Sequence, residues 1–403
     1  MARLLFLAHR LPYPPNKGDK VRSYHLLRHL AARHEVHVGT FVDDPEDEVH
    51  VPTLARDCAS LFAPRLHPLR ARAASLAALL DGRALTLRYY QHAAMARWVR
   101  RTVAERRIEA VVVFCSSMAQ YAEGLGLPTL VDFVDVDSAK WAQFATDRGG
   151  PLAWLYRREG RRLLDYERRV AAAARRSYFV TERETELFRS LAPECAGAVD
   201  AMSNGVDAEF FAPEPARASP YPAGAPAIAF TGAMDYWPNV DAVVWFAQEA
   251  LPALRAAHPG LRLHVVGRSP APAVRALAGD AVNVTGTVPD VRPYLQHADV
   301  VVAPLRLARG IQNKVLEAMA MARPVVAATG CGSTIGAADG REIVLAADAP
   351  AFVHEVGALL ADPARASALG AAGRQRVLAD YAWGANLARI DDHLAAALAG
   401  RAA

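Results

Sequence analysis

The residues best suited to chemistry follow the apolar run DVVVAPL (299–305), which predicts a buried strand. Arg306 and Lys314 supply two cations, and a glycine between them lets a ligand approach the backbone closely. The helix expected to start here adds partial positive charge at its N-terminal N–H groups. Together they predict an anion site, most naturally for phosphate or diphosphate. The backbone expected at this site comprises Gly310, Ile311, Gln312 and Asn313.

Glu317 lies three residues after Lys314, on the same face of the predicted helix. A carboxylate there can accept hydrogen bonds from two neighbouring hydroxyl groups, such as those of a ribose. The alternative is a surface Lys–Glu pair on an amphipathic helix. The nucleotide interpretation is favoured because of the cations and the glycine that precede it.

A second glycine-bearing loop, NKGDK (16–20), follows the first predicted strand. Gly18 is expected where a ligand could approach the backbone, and Asp19 is expected to be the N-cap of the next helix. The chain has no GxGxxG and no GxxxxGK[ST], and GCGSTIG (330–336) has the wrong spacing for a dinucleotide-binding loop. These patterns count against a dehydrogenase and a P-loop NTPase.

Three alternating carboxylates, Asp132, Asp135 and Asp137, occur in VDFVDVDSAKW (131–141). A pair with this spacing can hold a divalent metal on a nucleotide sugar. Because no His or Cys cluster accompanies them, we expect polar groups that line a cleft, and no metal. Asp135 is assigned to the reaction, and Asp132 and Asp137 to the acceptor side.

Strands alternate with helices along most of the chain, and the strands are apolar throughout. This pattern predicts an α/β protein with two Rossmann-like domains facing across a cleft, with ligands at the carboxyl ends of the strands. The Pro- and Ala-rich stretch 212–226 predicts a linker. We expect a first domain over 1–207, a linker over 208–226, a second domain over 227–382, and a C-terminal helix over 383–403 that could pack on the first domain.

The composition of the 403 residues is that of a globular protein, with 52% hydrophobic residues and a net charge of +4. This charge does not imply nucleic-acid binding. The basic excess lies in the first half, much of it between Arg157 and Arg176. A solvated helix face is the favoured interpretation, and contact with an anionic lipid surface or a phosphate-bearing acceptor is the alternative.

The four cysteines are scattered without a CxxC, which favours reduced thiols in a reducing compartment. Neither a signal peptide nor an apolar segment long enough to span a membrane is evident. We therefore expect a cytoplasmic protein. If the basic stretch contacts anionic lipid, the protein would also bind peripherally at the cytoplasmic face of the inner membrane.

Three segments resemble the donor half of family-four-type retaining glycosyltransferases with the GT-B fold. They are FTGAMDYWPNVDAVVWF (230–246), VTGTVPDVRPYL (284–295) and GIQNKVLEAMAMARPVV (310–326). The run 12–47, together with VDFVDVDSAKW, resembles the sugar transferase family associated with bacterial PEP-CTERM/exosortase exopolysaccharide systems.

The resemblance implies a nucleoside-diphosphate sugar bound mainly by the second domain. Lys314 and Arg306 would hold the diphosphate, and Glu317 the ribose. Gly18 would let the diphosphate and the acceptor meet at the first domain. Further donor-facing positions would be Gly232, Gly286 and Val288. Many relatives carry a second glutamate eight residues before the ribose one, where this chain has Arg309.

The predicted function is transfer of a sugar to a glycan or lipid-linked acceptor in bacterial exopolysaccharide or glycan biosynthesis, with retention of configuration and without an essential metal or other cofactor. Two alternatives remain open at this point. One is a nucleotide-sugar 2-epimerase of the same fold, and the other is a nucleotide-sugar sensor or scaffold without activity.

Overall fold

A computed structural model describes residues 1–15, 18–146, 150–306, 311–332 and 335–400. The chain divides into two compact units. The first comprises Met1–Ser203 and the C-terminal stretch from Leu387 onward, and the second is Asn204–Asn386. The predicted domain limits differ from these by a few residues at each boundary, and residues 208–226 belong to the second unit.

The first unit contains a seven-stranded parallel sheet in the order β3-β2-β1-β4-β5-β6-β7. Its strands are β1 (Arg3–Ala8), β2 (Glu35–Gly39), β3 (Ser60–Phe62), β4 (Ala110–Phe114), β5 (Thr129–Val134), β6 (Arg176–Phe179) and β7 (Val199–Ala201). Its helices are α1 (Gly18–Ala31), α2 (Val51–Ala55), α3 (Pro68–Ser75), α4 (Ala78–Asp81), α5 (Leu85–Tyr89), α6 (Ala93–Arg106), α7 (Asp137–Thr146), α8 (Gly150–Ala173) and α9 (Glu182–Leu191).

The second unit contains a six-stranded parallel sheet in the order β10-β9-β8-β11-β12-β13. Its strands are β8 (Ala227–Thr231), β9 (Arg262–Val266), β10 (Val282–Gly286), β11 (Val300–Ala303), β12 (Val325–Ala328) and β13 (Val344–Ala346). Its helices are α10 (Trp237–Glu249), α11 (Leu251–Ala257), α12 (Pro272–Arg275), α13 (Arg292–His297), α14 (Asn313–Ala320), α15 (Thr329–Gly332), α16 (Ala349–Ala361) and α17 (Pro363–Asp380). The last helix, α18 (Trp383–Ala399), begins in the second unit, and from Leu387 onward it belongs to the first.

Both sheets are covered by helices, which explains why their central strands are continuously apolar. Every residue of β4, β8, β11 and β12 is buried. Such strands are stable only with both faces packed, and parallel pairing requires a crossover between consecutive strands. The prediction of two Rossmann-like α/β units is confirmed.

The Pro-rich stretch 212–226 packs against α13 in the second unit. The Gln296 side chain accepts a hydrogen bond from the Glu214 N–H and donates one to the Glu214 carbonyl, at 2.9 and 2.7 Å. The Tyr221 hydroxyl donates to the Tyr294 carbonyl at 2.6 Å. Pro and Gly therefore shape an irregular surface segment here that is fixed to its own unit.

Candidate donor-binding site

Lys314 lies in the first turn of α14, and its side chain extends to the carboxyl end of β8. Its ammonium group donates a hydrogen bond to Asn239 Oδ1 and lies 5.0 Å from the centre of the Phe230 ring. The Asn239 amide is fixed in turn, because its Nδ2 donates to the Ala233 carbonyl at 2.8 Å. The cation predicted from the sequence is thus held at the edge of the sheet where ligands bind in this fold class.

Glycines mark the carboxyl ends of three neighbouring strands, β8, β9 and β10. The Gly232 N–H donates to the Val266 carbonyl at 3.0 Å, and the Gly267 N–H donates to the Gly286 carbonyl at 3.2 Å. A Cβ at Gly232 would lie 2.8 Å from Asn239 Nδ2 and 3.3 Å from Lys314 Nζ. Because Gly232 has no side chain, the Lys314 ammonium group can lie close to the backbone at the end of β8.

Burial shifts the ionisation of Lys314 and Glu317 in opposite directions. It lowers the pKa of Lys314 to about 8, although Glu317 acts to raise it. It raises the pKa of Glu317 to about 7, although Lys314 acts to lower it. Desolvation disfavours the charged form of each group. A bound ligand would therefore change the protonation of both groups. A diphosphate favours the protonated, charged form of Lys314, and a hydroxyl donor favours the ionised form of Glu317.

Binding of a nucleoside diphosphate is expected to be strongest between about pH 7 and about pH 8. A bound diphosphate raises the pKa of Lys314, so affinity falls as pH rises above the value of the free protein. Hydroxyl donors lower the pKa of Glu317, so affinity also falls as pH drops below 7. Calorimetry across this range tests the expectation. Lys314→Met should lose the alkaline limb and Glu317→Gln the acid limb, whereas a flat wild-type profile would contradict both assignments.

Arg306 follows β11 and is paired with α10. Its guanidinium donates to Asp241 at 2.7 Å and lies 5.4 Å from the centre of the Trp245 ring. These three side chains, together with Trp237 and Val240, line a groove of about 320 Å³. Asp241 already offsets the charge of Arg306 here, so its contact with a diphosphate stays a prediction.

The other predicted donor-binding positions are distributed around this edge. Gly310 lies outside the described residues, as does Arg309. Ile311 packs against the core, and Gln312 and Asn313 lead into α14. Val288 follows β10 in the loop before α13.

Three residues at this edge were not predicted: Asn239, Gly267 and Arg268. Asn239 is the side chain that receives the Lys314 ammonium group. Arg268 follows Gly267, and its buried Nε has no partner in the described part of the chain. The sequence signal for the last two is HVVGR (264–268), a strand followed by a glycine and a cation, which repeats the pattern at Gly310.

The carboxyl edge of the first unit holds a second polar cluster. The Asp19 carboxylate accepts from Arg10 at 2.8 Å and lies 3.6 Å from His9 Nε2. Arg10 also pairs with Asp43 at 2.9 Å. The His9 ring stacks on Phe114, and its buried Nδ1 has no partner among the described residues. His9 was not predicted, although it directly follows the first strand.

The structure places Gly18 at the start of α1, and it contradicts the prediction that Asp19 is the N-cap of this helix. α1 begins at Gly18, so Asp19 lies in its first turn and is not the N-cap. The Asp19 pKa lies well below its usual range, because the contact with His9 and the positive charge of Arg10 together outweigh the opposing effect of burial. A Cβ at Gly18 would meet no atom within 4 Å, so this position borders open space.

Asp132 does not line an accessible surface, contrary to our expectation. Its side chain is fully buried and accepts two hydrogen bonds from Arg22, at 2.7 and 3.0 Å. Asp135 and Asp137 are partly buried, with side chains 32% and 30% exposed, and both pair with Lys140, at 2.7 and 3.2 Å. Burial raises the pKa of Asp137. Within the described residues, no group of three or more metal-ligating side chains converges.

Residues 225–362 match the model of the family described as glycosyl transferases group 1. This segment contains Lys314, Glu317 and the glycine-marked strand ends. The matched segment includes all six strands of the second sheet, from β8 to β13.

Curated relatives extend this match. The chain is 32% identical over 219 residues to a GDP-mannose-dependent α-(1-6)-phosphatidylinositol monomannoside mannosyltransferase of Mycolicibacterium smegmatis, covering 48% of this chain and 56% of the relative. The enzyme of the same name from Mycobacterium tuberculosis is 31% identical over 226 residues. The chain thus spans just over half the length of these relatives.

Solved structures show the fold. Sucrose-phosphate synthase from Thermosynechococcus elongatus superposes with a TM-score of 0.69 at 19% identity, over 99% of this chain and 100% of that one. Anabaena HepE in complex with UDP gives 0.70 at 14% identity, over 98% and 100%. The GT-B fold predicted for the chain is confirmed. In the part of the chain that the structure describes, no helix is both long and apolar enough to cross a bilayer.

Proposed function

We propose that this protein transfers a sugar from a nucleoside-diphosphate sugar, bound by the segment that matches group 1 glycosyltransferases, to a glycan or lipid-linked acceptor. The observation that carries the proposal is the Lys314 ammonium group, held by Asn239 beside Gly232 at the ends of the parallel strands. Names of the relatives support this donor class, since they include GDP-mannose-dependent transferases and a complex with UDP-glucose. The matches favour transfer over the epimerase and sensor alternatives.

In the proposed reaction, the bond between the anomeric carbon and the diphosphate oxygen breaks as the acceptor hydroxyl approaches from the same side. The acceptor oxygen then bonds to the anomeric carbon, and its proton passes to the departing diphosphate oxygen. The sugar develops oxocarbenium character, as in glycoside chemistry generally. The leaving diphosphate gains negative charge, which Lys314 stabilises more strongly than it does in the resting complex. Glu317 holds the ribose and the loop at Gly286 and Val288 faces the base. The product retains its configuration without a carboxylate nucleophile.

The biological setting is also part of the proposal. The resemblance of residues 12–47 and 131–141 to the PEP-CTERM/exosortase-associated family supports a role in bacterial exopolysaccharide or glycan assembly. The acceptor would then be presented at the cytoplasmic face of the inner membrane, where such a transferase works as a peripheral protein.

A donor panel tests the proposed function. The purified protein is incubated with GDP-mannose, UDP-glucose and other nucleotide sugars, with and without a glycan acceptor. Nucleotide release that requires the acceptor is expected. Acceptor-free isomerisation of the donor would support the epimerase instead, and binding without turnover would support the sensor.

Substitution of Glu317 is expected to weaken donor binding in a graded way. Alanine removes the acceptor for both ribose hydroxyls, and the loss should be about 1.5–3 kcal/mol, the value of a hydrogen bond to a charged group. Glutamine keeps one acceptor and should lose less. Calorimetry with the nucleoside diphosphate measures both, and equal affinity of the wild type and Glu317→Ala would place Glu317 outside the site.

Activity is expected to persist in excess chelator, because the proposed mechanism uses Lys314 where a metal would otherwise offset the diphosphate charge. Turnover is measured after dialysis against a chelator and again after magnesium or manganese is added. Loss of activity that either metal restores would instead assign Asp135 and Asp137 as metal ligands.

A further inference from the structure

Four exposed leucines form a surface on the first unit. Leu69, Leu76, Leu79 and Leu80, in and between α3 and α4, are 79%, 54%, 39% and 93% exposed. We call them the leucine surface. Single exposed apolar residues are common, but four within twelve residues form a patch of the kind that marks an interaction site.

The fold fixes the segment that carries the leucine surface. Arg158 of α8 donates to the Ala78 carbonyl at 2.6 Å and to the Arg83 carbonyl at 3.0 Å. The buried Glu159 carboxylate accepts from the backbone N–H groups of Leu85 and Thr86, at 2.6 and 2.9 Å. Since α8 holds the segment by its backbone, the leucines face solvent in a defined arrangement.

The surroundings of the leucine surface are strongly basic. Residues 63–104 contain eight arginines and a single acid, Asp81, which pairs with Arg88 at 3.1 Å. Arg70, Arg72 and Arg83 are exposed and have no acidic partner among the described residues. On α8, Trp154 lies one turn before Arg158 and is 54% exposed. Aromatic rings of this kind favour the boundary between water and an apolar phase.

Three arginines of α8 have partners within the protein, whereas Arg157 and Arg161, which share the helix with Trp154, are exposed and have no acidic partner among the described residues. Arg168 pairs with Glu194 at 2.6 Å, and Arg162 lies 4.0 Å from Asp165. Arg158 binds backbone carbonyls. The leucine surface combines apolar side chains with arginines that face no acid.

We propose that the leucine surface docks on an anionic bilayer, with the leucines at the acyl boundary and Arg70, Arg72 and Arg83 on lipid phosphates. Apolar burial and attraction to anionic headgroups add in such binding. A second copy of the chain suits this surface poorly, because a two-fold contact would bring the same unpaired arginines together. This inference rests on the peripheral membrane role in the proposed function, but docking is measured without donor or acceptor, so its failure is distinguishable from a failure of sugar transfer.

Sedimentation with vesicles tests the proposal on the full chain. The wild type should bind vesicles made of equal parts phosphatidylcholine and phosphatidylglycerol, more weakly as salt rises, and bind phosphatidylcholine alone poorly. Leu76→Gln/Leu80→Gln should lower partitioning by about 10–100-fold, since each leucine leaves the acyl boundary. Arg70→Gln/Arg72→Gln should lower it by about tenfold, and only on the anionic vesicles.

Matched substitutions in the second unit serve as controls. Leu378 and Arg341 are exposed there, and Leu378→Gln/Arg341→Gln should bind vesicles like the wild type. Circular dichroism melting checks that every variant is folded. Equal partitioning of the leucine variant and the wild type would overturn the proposal, as would failure of the wild type to bind anionic vesicles. A wild-type dimer that the leucine variant converts to a monomer, without vesicle binding, would reassign the surface to self-association.

Discussion

Replacing Lys314 with alanine is expected to lower kcat by about 10²–10³, the typical effect of removing one group that stabilises developing oxyanion charge. The leaving diphosphate is more negative in the transition state than in the bound donor, and only such differential interactions raise the rate of the chemical step. Donor affinity should fall as well. Single-turnover kinetics, with donor affinity measured separately, resolve the two effects.

The folded state of this variant needs its own control. Lys314 also binds Asn239, so its loss could disturb the end of β8. Lys314→Arg should recover only part of the rate, because a planar guanidinium places its charge differently from an ammonium group. Arg341→Ala removes an exposed cation from the same unit and should leave kcat unchanged. Normal turnover in a folded Lys314→Ala protein would show that this helix start is not the diphosphate site.

Replacing Asp132 with alanine is expected to destabilise the first unit by about 3–5 kcal/mol, because it removes the buried carboxylate that accepts two hydrogen bonds from the Arg22 guanidinium. Arg22 is only 1% exposed, so solvent cannot compensate. The chain has two units that can unfold separately. Hydrogen exchange of the β1 and β5 amides therefore reports the stability of the relevant unit better than a single melting temperature.

Two comparisons isolate the buried charge as the cause. Asp135→Ala removes a neighbouring carboxylate that is 32% exposed and pairs with Lys140, and it should cost no more than about 1 kcal/mol. Arg22→Met/Asp132→Leu removes both charges and should restore much of the stability. Equal stability of Asp132→Ala and Asp135→Ala would contradict the structural role assigned to Asp132.

The same three aspartates show how far sequence reasoning reaches. Their close spacing from the end of β5 to the start of α7 is visible in the sequence. The burial of Asp132, however, depends on its pairing with Arg22, which is 110 positions away in the chain. Likewise, Lys314 was predicted as a cation of the site, whereas its lowered pKa follows from burial and its orientation from Asn239. The sequence shows which residue types follow each strand, but tertiary packing decides which of those side chains remain accessible to a ligand.

The sheets were easier to predict than the details at their margins. Central strands such as β4 and β11 are continuous apolar runs, which is the pattern from which the parallel sheets were predicted. The strands β3 and β7 were missed because each is only three residues long and partly exposed. Their pairing depends on the neighbouring strand more than on their own sequence.

The glycines of the two sheet edges differ in what they would tolerate under mutational selection. A Cβ at Gly267 would lie 1.7 Å from the Gly232 carbonyl oxygen, a backbone atom that cannot rotate away. Every other amino acid at that position therefore obstructs folding itself. At Gly18 a Cβ meets nothing. In a library of variants, depletion at Gly267 would report the architecture of the sheet, whereas depletion at Gly18 would report the space occupied by a bound molecule.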